Sequence, residues 1–395
     1  MYPDLSYLLH DLIGTSPDNW TSIIKTFGLL LVISFLVAAY MLGLELKRKE
    51  DAGLLQPTKE KTIVGQAATL WELVSNALLG FFIGFKFVYI VQHFSDFQLD
   101  PADVILSVRG NWFGGIIGAI LFAALKYYEK DREKLPKPVE KDILIHPYER
   151  IGDITILAAI SGIVGAKLFA LAEDLGRVFD GEISFSHLVS SFFSGSGLAI
   201  YGGLIVAFFC VYFYVKRKGI TPIHVMDAVA PALMIAYGIG RMGCHFSGDG
   251  DWGIPNEMPK PEWMAFLPDW LWAYDYPHNV IREGVPMENC NGMQYCTRLD
   301  PPVYPTPVYE TTMAFILGGV LWALRKRILI PGMLFFIYVI LNGVERFFIE
   351  KIRVNIKYDV GGLQLTQAEI ISICMMIIGV IGCLVLWRRH KAKAA

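Results

Sequence analysis

Two stretches of the chain concentrate residue types that bind anions or move protons. The first, 238–256, reads Gly238-Ile239-Gly240-Arg241-Met242-Gly243-Cys244-His245-Phe246-Ser247-Gly248-Asp249-Gly250-Asp251-Trp252-Gly253-Ile254-Pro255-Asn256. Its glycines permit close backbone approach and positive φ, and Arg241, His245, Asp249 and Asp251 stand among them. The second, 342–355, holds Glu345, Arg346, Glu350 and Arg353. On a helix, Arg346, Glu350 and Arg353 share one face through i, i+4, i+7 spacing, while Glu345 points elsewhere. Guanidinium groups are planar forks that match phosphate oxygens, and a histidine such as His245 has the unperturbed pKa of a general base. Each stretch also has a plainer reading. The first is then a helix end, an ordinary turn and a snorkelling arginine, with His245 merely packed. The second is then an Arg346–Glu350 pair that only joins helices. Cys244 beside His245 invites a thiol–imidazole reading, but adjacent side chains rarely point together. Tyr309-Glu310, after the Pro-Thr-Pro turn at 305–307, is a weaker third feature.

The elements that must position these residues are apolar runs. The chain has 395 residues, of which 54% are hydrophobic and 18% charged, with a mean hydropathy of +0.44. A soluble domain is less apolar and more charged, so lipid must solvate much of this chain. A span takes about 20 mostly apolar residues. About nine such runs are present, at 23–46, 69–94, 111–128, 151–174, 197–215, 224–242, 308–325, 331–350 and 366–387. Continuous runs select helices over a barrel, and the expected fold is an all-α transmembrane bundle. Lys47-Arg48-Lys49, the lysines and arginine at 126–134, Lys216-Arg217-Lys218, Arg325-Lys326-Arg327 and Arg388-Arg389 all follow odd-numbered runs. Nine spans put all five clusters on one side, which the positive-inside rule makes cytoplasmic. The N-terminus and the 243–307 loop are then outside, and Arg241 and Arg346 fall at the outer boundary. Net charge is −2, which disfavours nucleic acid. No metal-ligand spacing or cofactor motif is evident.

An internal duplication organises the first half. Ile83-Gly84-Phe85-Lys86-Phe87-Val88 parallels Val164-Gly165-Ala166-Lys167-Leu168-Phe169. Asn111-Trp112-Phe113-Gly114-Gly115 parallels Ala199-Ile200-Tyr201-Gly202-Gly203. Each unit is a two-span hairpin that returns to its starting side, so the copies are parallel and not inverted as in many transporters. Lys86 and Lys167 pair with a carboxylate or snorkel, and are read as structural. The chain divides into an N-terminal segment with the first span (1–64), the extra hairpin (65–135), core spans with the second copy (136–242), the outer loop with the Gly-rich turn (243–307), and three last spans with a basic tail (308–395). Cys290 and Cys296 in the outer loop either pair in an oxidising compartment or stay as two free thiols.

Taken together, these segments resemble the prolipoprotein diacylglyceryl transferase family. Gly240-Arg241-Met242-Gly243 through Trp252-Gly253 resembles its signature, with Asp249 at a usual acidic position. Phe27-Gly28 is similar to the family's Tyr-Gly, Tyr201-Gly202-Gly203-Leu204 to its His-Gly-Gly-Leu, and Pro307-Val308-Tyr309-Glu310 to its Pro-x-x-Tyr-Glu. Arg346-Phe347 with Glu350 and Arg353 is similar to its Arg-Phe-x-x-Glu-x-x-Arg, and Gly362 to Gln367 resembles the segment before its last span. The resemblance implies seven spans, to which the extra hairpin adds two. It also implies transfer of a diacylglyceryl group from phosphatidylglycerol to the lipobox cysteine of a prolipoprotein signal peptide, at the outer face of a bacterial cytoplasmic (inner) membrane. Glycerol 1-phosphate leaves, and no metal or cofactor is used.

Under that resemblance Arg241, Arg346, His245, Asp249 and Tyr201 are the expected catalytic residues. Arg241, Arg346, Arg353, Glu350, Tyr309, Gly240, Gly243 and Gly253 are expected to bind lipid and phosphate. The departures are Tyr201 where the family has its candidate base, and Phe27 where it has tyrosine, so His245 or Asp249 stands in by position. Two other readings compete: a paralogue with a different acceptor or lipid, and a non-catalytic lipid-binding or transport protein. The latter should place its paired charges near the midplane of both repeats.

Overall fold

The computed structural model describes every residue except Asp180, Glu182, 185–198, Asn289, Asn291, Ile356, Gly361 and Ala395. In chain order the described helices are α1 (Leu5–Ile13), α2 (Thr26–Asp51), α3 (Leu70–Gln92), the short α4 (Phe94–Leu99) and α5 (Pro101–Leu106), and α6 (Trp112–Glu133). There follow α7 (Ile151–Phe179), α8 (Ile200–Arg217), α9 (Pro222–Ser247), α10 (Thr306–Leu324), α11 (Met333–Glu350) and α12 (Gln367–Ala394). Each of the nine apolar runs falls largely on a helix of at least 18 residues; residues 197 and 198 of the fifth run lie outside the described residues. Seven of these helices are long and apolar enough to cross a membrane. The other two, α6 and α11, carry their own charges: Lys126 to Glu133 in one, Glu345, Arg346 and Glu350 in the other. The protein is therefore a polytopic helical membrane protein.

Two sequence expectations need correction. The fold is not all-α, because three antiparallel two-stranded sheets are present. They pair β1 (Thr58–Val64) with β2 (Val139–Ile145), β3 (Val285–Pro286) with β4 (Thr297–Arg298), and β5 (Lys357–Val360) with β6 (Leu363–Thr366). All three lie in the polar connections, where strand pairing satisfies backbone groups that no helix holds. The loop expected from 243 also starts later. Helix α9 runs on to Ser247 and ends where Gly248 adopts φ +63°, its N–H donating to the Cys244 carbonyl at 3.0 Å. Gly240 and Gly243 are thus helical, and the irregular backbone expected around Arg241 begins about two turns further on, at Gly248.

The chain forms two compact units, 56–220 and 1–55 with 221–395. In the first, α3 packs on α6 and α7 on α8, and the contact is made by glycine. A Cβ on Gly84 would stand 2.1 Å from the Gly114 carbonyl oxygen, and one on Gly165 2.7 Å from that of Gly202. Both pairs occupy equivalent places in the duplication. So do two backbone bonds, Asn111 N–H to Phe85 O at 2.8 Å and Ala199 N–H to Ala166 O at 3.2 Å. Lys86 neither snorkels nor meets a carboxylate. Its buried ammonium donates to the carbonyls of Val104 and Arg109, each at 2.8 Å, and to that of Ser107, holding the end of α5 and the turn after it.

In the second unit α9 packs against α2, α10 and α11, and α11 against α12. Met234, Ala314, Leu321 and Leu334 form its buried apolar core. Large apolar side chains such as Leu36, Ile316, Ile377 and Ile381 face outward, as helices solvated by acyl chains do. One end of this bundle is tied by buried ion pairs: Glu45 with Arg48 and with Arg325 (3.1 Å), and Lys49 with Asp227 (4.0 Å). At the other end the 248–305 segment folds around its own apolar cluster of Trp252, Tyr276, Leu299 and Val303. Of the two states open to Cys290 and Cys296, the structure has the disulfide.

Candidate functional site

The site is built around one carboxylate. Glu310, one turn into α10, is fully buried, and three arginines converge on it. Arg241 of α9 reaches it through Nε; Arg346 of α11 lies at 3.4 Å, and Arg353, just past α11, at 3.3 Å. Asp251 bridges Arg241 and Arg353 from the turn after α9. Glu350 stands one turn after Arg346, pairs with it at 3.1 Å, and accepts 2.6 Å from the Asn355 side chain. Three positive and three negative groups therefore form one closed network. Such a network tolerates low dielectric because every charge is paired, and its geometry is fixed before any ligand arrives.

Local sequence explains the positioning. Pro222 opens α9, where its missing N–H is harmless, and five turns later the helix delivers Arg241. Gly243, on the α9 surface, lets α2 approach: a Cβ there would stand 3.3 Å from Phe27. Gly253 is required for a different reason. A Cβ at that position would lie 2.6 Å from the Ile352 carbonyl oxygen. Its absence allows the Gly253–Arg353 bridge and the bond from Ile254 N–H to Ile352 O at 2.9 Å. The turn carrying Asp251 is thereby fastened to the segment carrying Arg353. Thr306 adds a bond to the Asp251 carbonyl at 3.0 Å. Burial alone would push the Asp251 carboxyl up, but Arg241 and Arg353 outweigh it and hold it at about 2. Burial does push up the Asp249 carboxyl, which the neighbouring Asp251 reinforces.

The structure thus brings together Arg241, Arg346, Glu350 and Arg353, with Gly253 bridged to Arg353 beside them. It does not bring His245 into the network. The His245 ring is buried among Trp270, Tyr274 and Tyr276, with Nδ1 3.2 Å from the Tyr276 hydroxyl. Asp249 instead accepts from the Asp251 N–H at 3.2 Å. Tyr309 donates to the Leu271 carbonyl and serves the loop. Nothing lies within 4 Å of a Cβ built on Gly240. Tyr201 belongs to the other unit, where it is half-buried near the start of α8. Sequence reasoning passed over the hub itself. Glu310 was legible as the residue after Tyr309, and the helix turns it, not Tyr309, toward the arginines. Cys244, Asp249 and Asp251 bring one sulfur and two carboxylates within 4.8 Å of one another, the one such grouping among the described residues. Arg241 and Arg353 engage Asp251 of this group. Beside the network a cavity of roughly 300 Å³ is lined by Glu350, Lys351, Arg353, Asn355, Thr366 and Glu369.

These features define a helical membrane protein with a buried arginine–carboxylate network at one end of its bundle. The model of the prolipoprotein diacylglyceryl transferase family matches residues 139–385. The phosphatidylglycerol–prolipoprotein diacylglyceryl transferase of Lysinibacillus sphaericus (strain C3-41) is 30% identical over 301 residues, 76% of this chain and 93% of that protein. Proteins of the same name from Shouchella clausii (strain KSM-K16) and Clostridium tetani (strain Massachusetts / E88) are each 28% identical. The first match covers 71% of this chain and 88% of the relative, the second 59% and 79%. The chain belongs to the prolipoprotein diacylglyceryl transferase family, and is a transferase.

Proposed function

We propose that the chain moves a diacylglyceryl group from phosphatidylglycerol to the lipobox cysteine thiol of a prolipoprotein, releasing glycerol 1-phosphate. The observation that carries this reading is the convergence of Arg241, Arg346 and Arg353 on Glu310. In the reaction a thiolate attacks the glycerol C3 of the lipid. The S–C bond forms as the C–O bond to phosphorus breaks, and the leaving phosphate gains a second negative charge. Guanidinium N–H groups fixed in advance by Glu310, Asp251 and Glu350 stabilise that charge without reorganising. Arg346 is the most exposed of the three, at 22%, and is the first to meet a phosphate. The neighbouring polar cavity has room for the glycerol that leaves with it.

In this reading the chain spans the bacterial inner membrane nine times. The N-terminus and the arginine network are outside, and the ion pairs of Glu45 and Asp227 are on the cytoplasmic side, beside the basic clusters. The duplicated hairpin adds two spans and preserves orientation. Purified protein in phosphatidylglycerol vesicles, given a lipobox peptide, yields a diacylglyceryl-peptide detectable by mass spectrometry. Arg241→Ala and Arg346→Ala each lower its rate by about 10²–10³-fold, the effect of removing one fixed donor to a developing anion. Absence of product from the wild-type protein would remove the reading.

A further inference from the structure

Buried carboxylates in this protein are almost uniformly paired. Asp4, Glu45, Asp227, Glu310, Glu350 and Glu369 each lie within 4.0 Å of a lysine or arginine nitrogen. Among the described buried carboxylates Glu345 is the exception. It is 3% exposed and makes no ion pair, and its Oε2 has no hydrogen-bond partner. Its other oxygen lies 3.5 Å from the Tyr237 hydroxyl of α9. An unpaired carboxylate inside a spanning helix is costly, and such groups commonly serve function.

Its placement fits one task. Glu345 precedes Arg346 on α11, and Tyr237 precedes Arg241 by one turn of α9, about 6 Å along the axis. The Glu345–Tyr237 pair therefore lies beneath the arginine network, on the side of the bilayer middle. In a phospholipid bound by its phosphate, the glycerol carbons and acyl chains lie on that same side. We propose that Glu345 is the proton acceptor for the incoming thiol, an inference that rests on the transferase reading above. The proton of the cysteine S–H passes to the Glu345 carboxylate, the thiolate forms the S–C bond, and the C–O electron pair leaves with the phosphate. The proton then passes to the departing phosphate monoester, so no further reactant is needed. The Tyr237 hydroxyl donates to the carboxylate and orients it. Tyr237, Tyr338, Arg241, Arg346 and Arg353 are the titratable and charged groups acting on Glu345. Where α12 packs against α11 beside Gly343 it presents Met375 and Met376.

The test uses the full chain in phosphatidylglycerol vesicles. Glu345→Gln lowers transfer to a cysteine peptide by about 10²–10⁴-fold, the usual span for a general base, while lipid retention stays at the wild-type level. A selenocysteine peptide, whose selenol is already ionised at neutral pH, restores most of the rate. The deficit of Glu345→Gln with cysteine also shrinks as pH rises and the free thiol ionises. Wild-type transfer by Glu345→Gln, or a deficit that selenocysteine does not relieve, overturns the proposal. Should Glu345→Gln not fold, Tyr237→Phe is read in its place, and an unchanged pH profile overturns it. Failure of the wild-type protein to make product would instead strike the transferase reading itself.

Discussion

The two units join similar apolar helices by opposite means. In residues 56–220 the hairpins close by removing side chains, with Gly84 against Gly114 and Gly165 against Gly202. In the other unit α9, α10 and α11 meet at one end through charge, three arginines on three carboxylates. Glycine contacts gain dispersion energy over a close backbone approach and need no polar partner. A charged network gains little net stability in low dielectric, yet it fixes donors at one place, where the proposed chemistry would use them. Buried charge also ties the opposite end of the bundle, through Glu45 with Arg48 and Arg325 and Lys49 with Asp227, but only the arginine network gathers three guanidinium groups at one place. The copies of the hairpin sharpen this. The second lies within the 139–385 family match and carries Tyr201 before its glycine pair, while α3 and α6 lie outside the match, with Phe113 at that place.

The largest expected effect comes from the hub. Glu310→Gln leaves three guanidinium groups sharing one lost charge, and breaking a buried network in this way costs about 3–5 kcal/mol. Thermal unfolding in detergent should show a marked drop, with transfer abolished. An unchanged melting temperature would mean that the arginines do not depend on Glu310.

Next come the glycine contacts. Gly165→Leu and Gly84→Leu each force a side chain into backbone, which costs about 1–3 kcal/mol. Gly165→Leu should lose both stability and transfer, whereas Gly84→Leu should lose stability and keep most transfer. Equal loss of transfer would give the extra hairpin a part in the chemistry.

The smallest effect is on pH. Asp251 is held at about 2, below the ordinary 3.8. Its stabilising contribution is therefore present above about pH 4 and lost as pH falls toward 2, amounting to no more than about 2 kcal/mol. Asp249 is shifted the other way, so its contribution is present below its ordinary pKa and lost as pH rises through the raised value. Asp251→Asn should remove the acid-side loss, and Asp249→Asn should raise the melting temperature slightly at neutral pH. Acid melting curves identical to wild type would show that neither carboxylate is tied to folding.

Much of this architecture could be read from residue order, because in lipid a long apolar run has little choice but to be a helix. Helical spacing placed Arg346 and Glu350 on one face, but α11 ends at Glu350, and Arg353 joins the network from the turn beyond the helix. What escaped was set by long-range packing. Glycine spacing around Arg241 suggested irregular backbone, but α9 continues because Gly243 is there to admit α2. Glu310 was overshadowed by Tyr309, since adjacent positions on a helix face about 100° apart and only the fold decides which one faces inward. His245 has the right chemistry for a base, but three aromatic rings from a distant loop enclose it. Strands β1 and β2 are broken up by charges, and β3 to β6 are only two to four residues long, too brief for apolar alternation to stand out.

The most direct test of the central claim is the retention of phosphatidylglycerol by purified protein, read as the lipid-bound fraction in native mass spectrometry. Arg241→Ala, Arg346→Ala and Arg353→Ala should each lose most of the bound lipid relative to wild type, while Lys86→Met retains it. Undiminished retention in all three arginine variants would contradict the account, because the headgroup would then be held elsewhere.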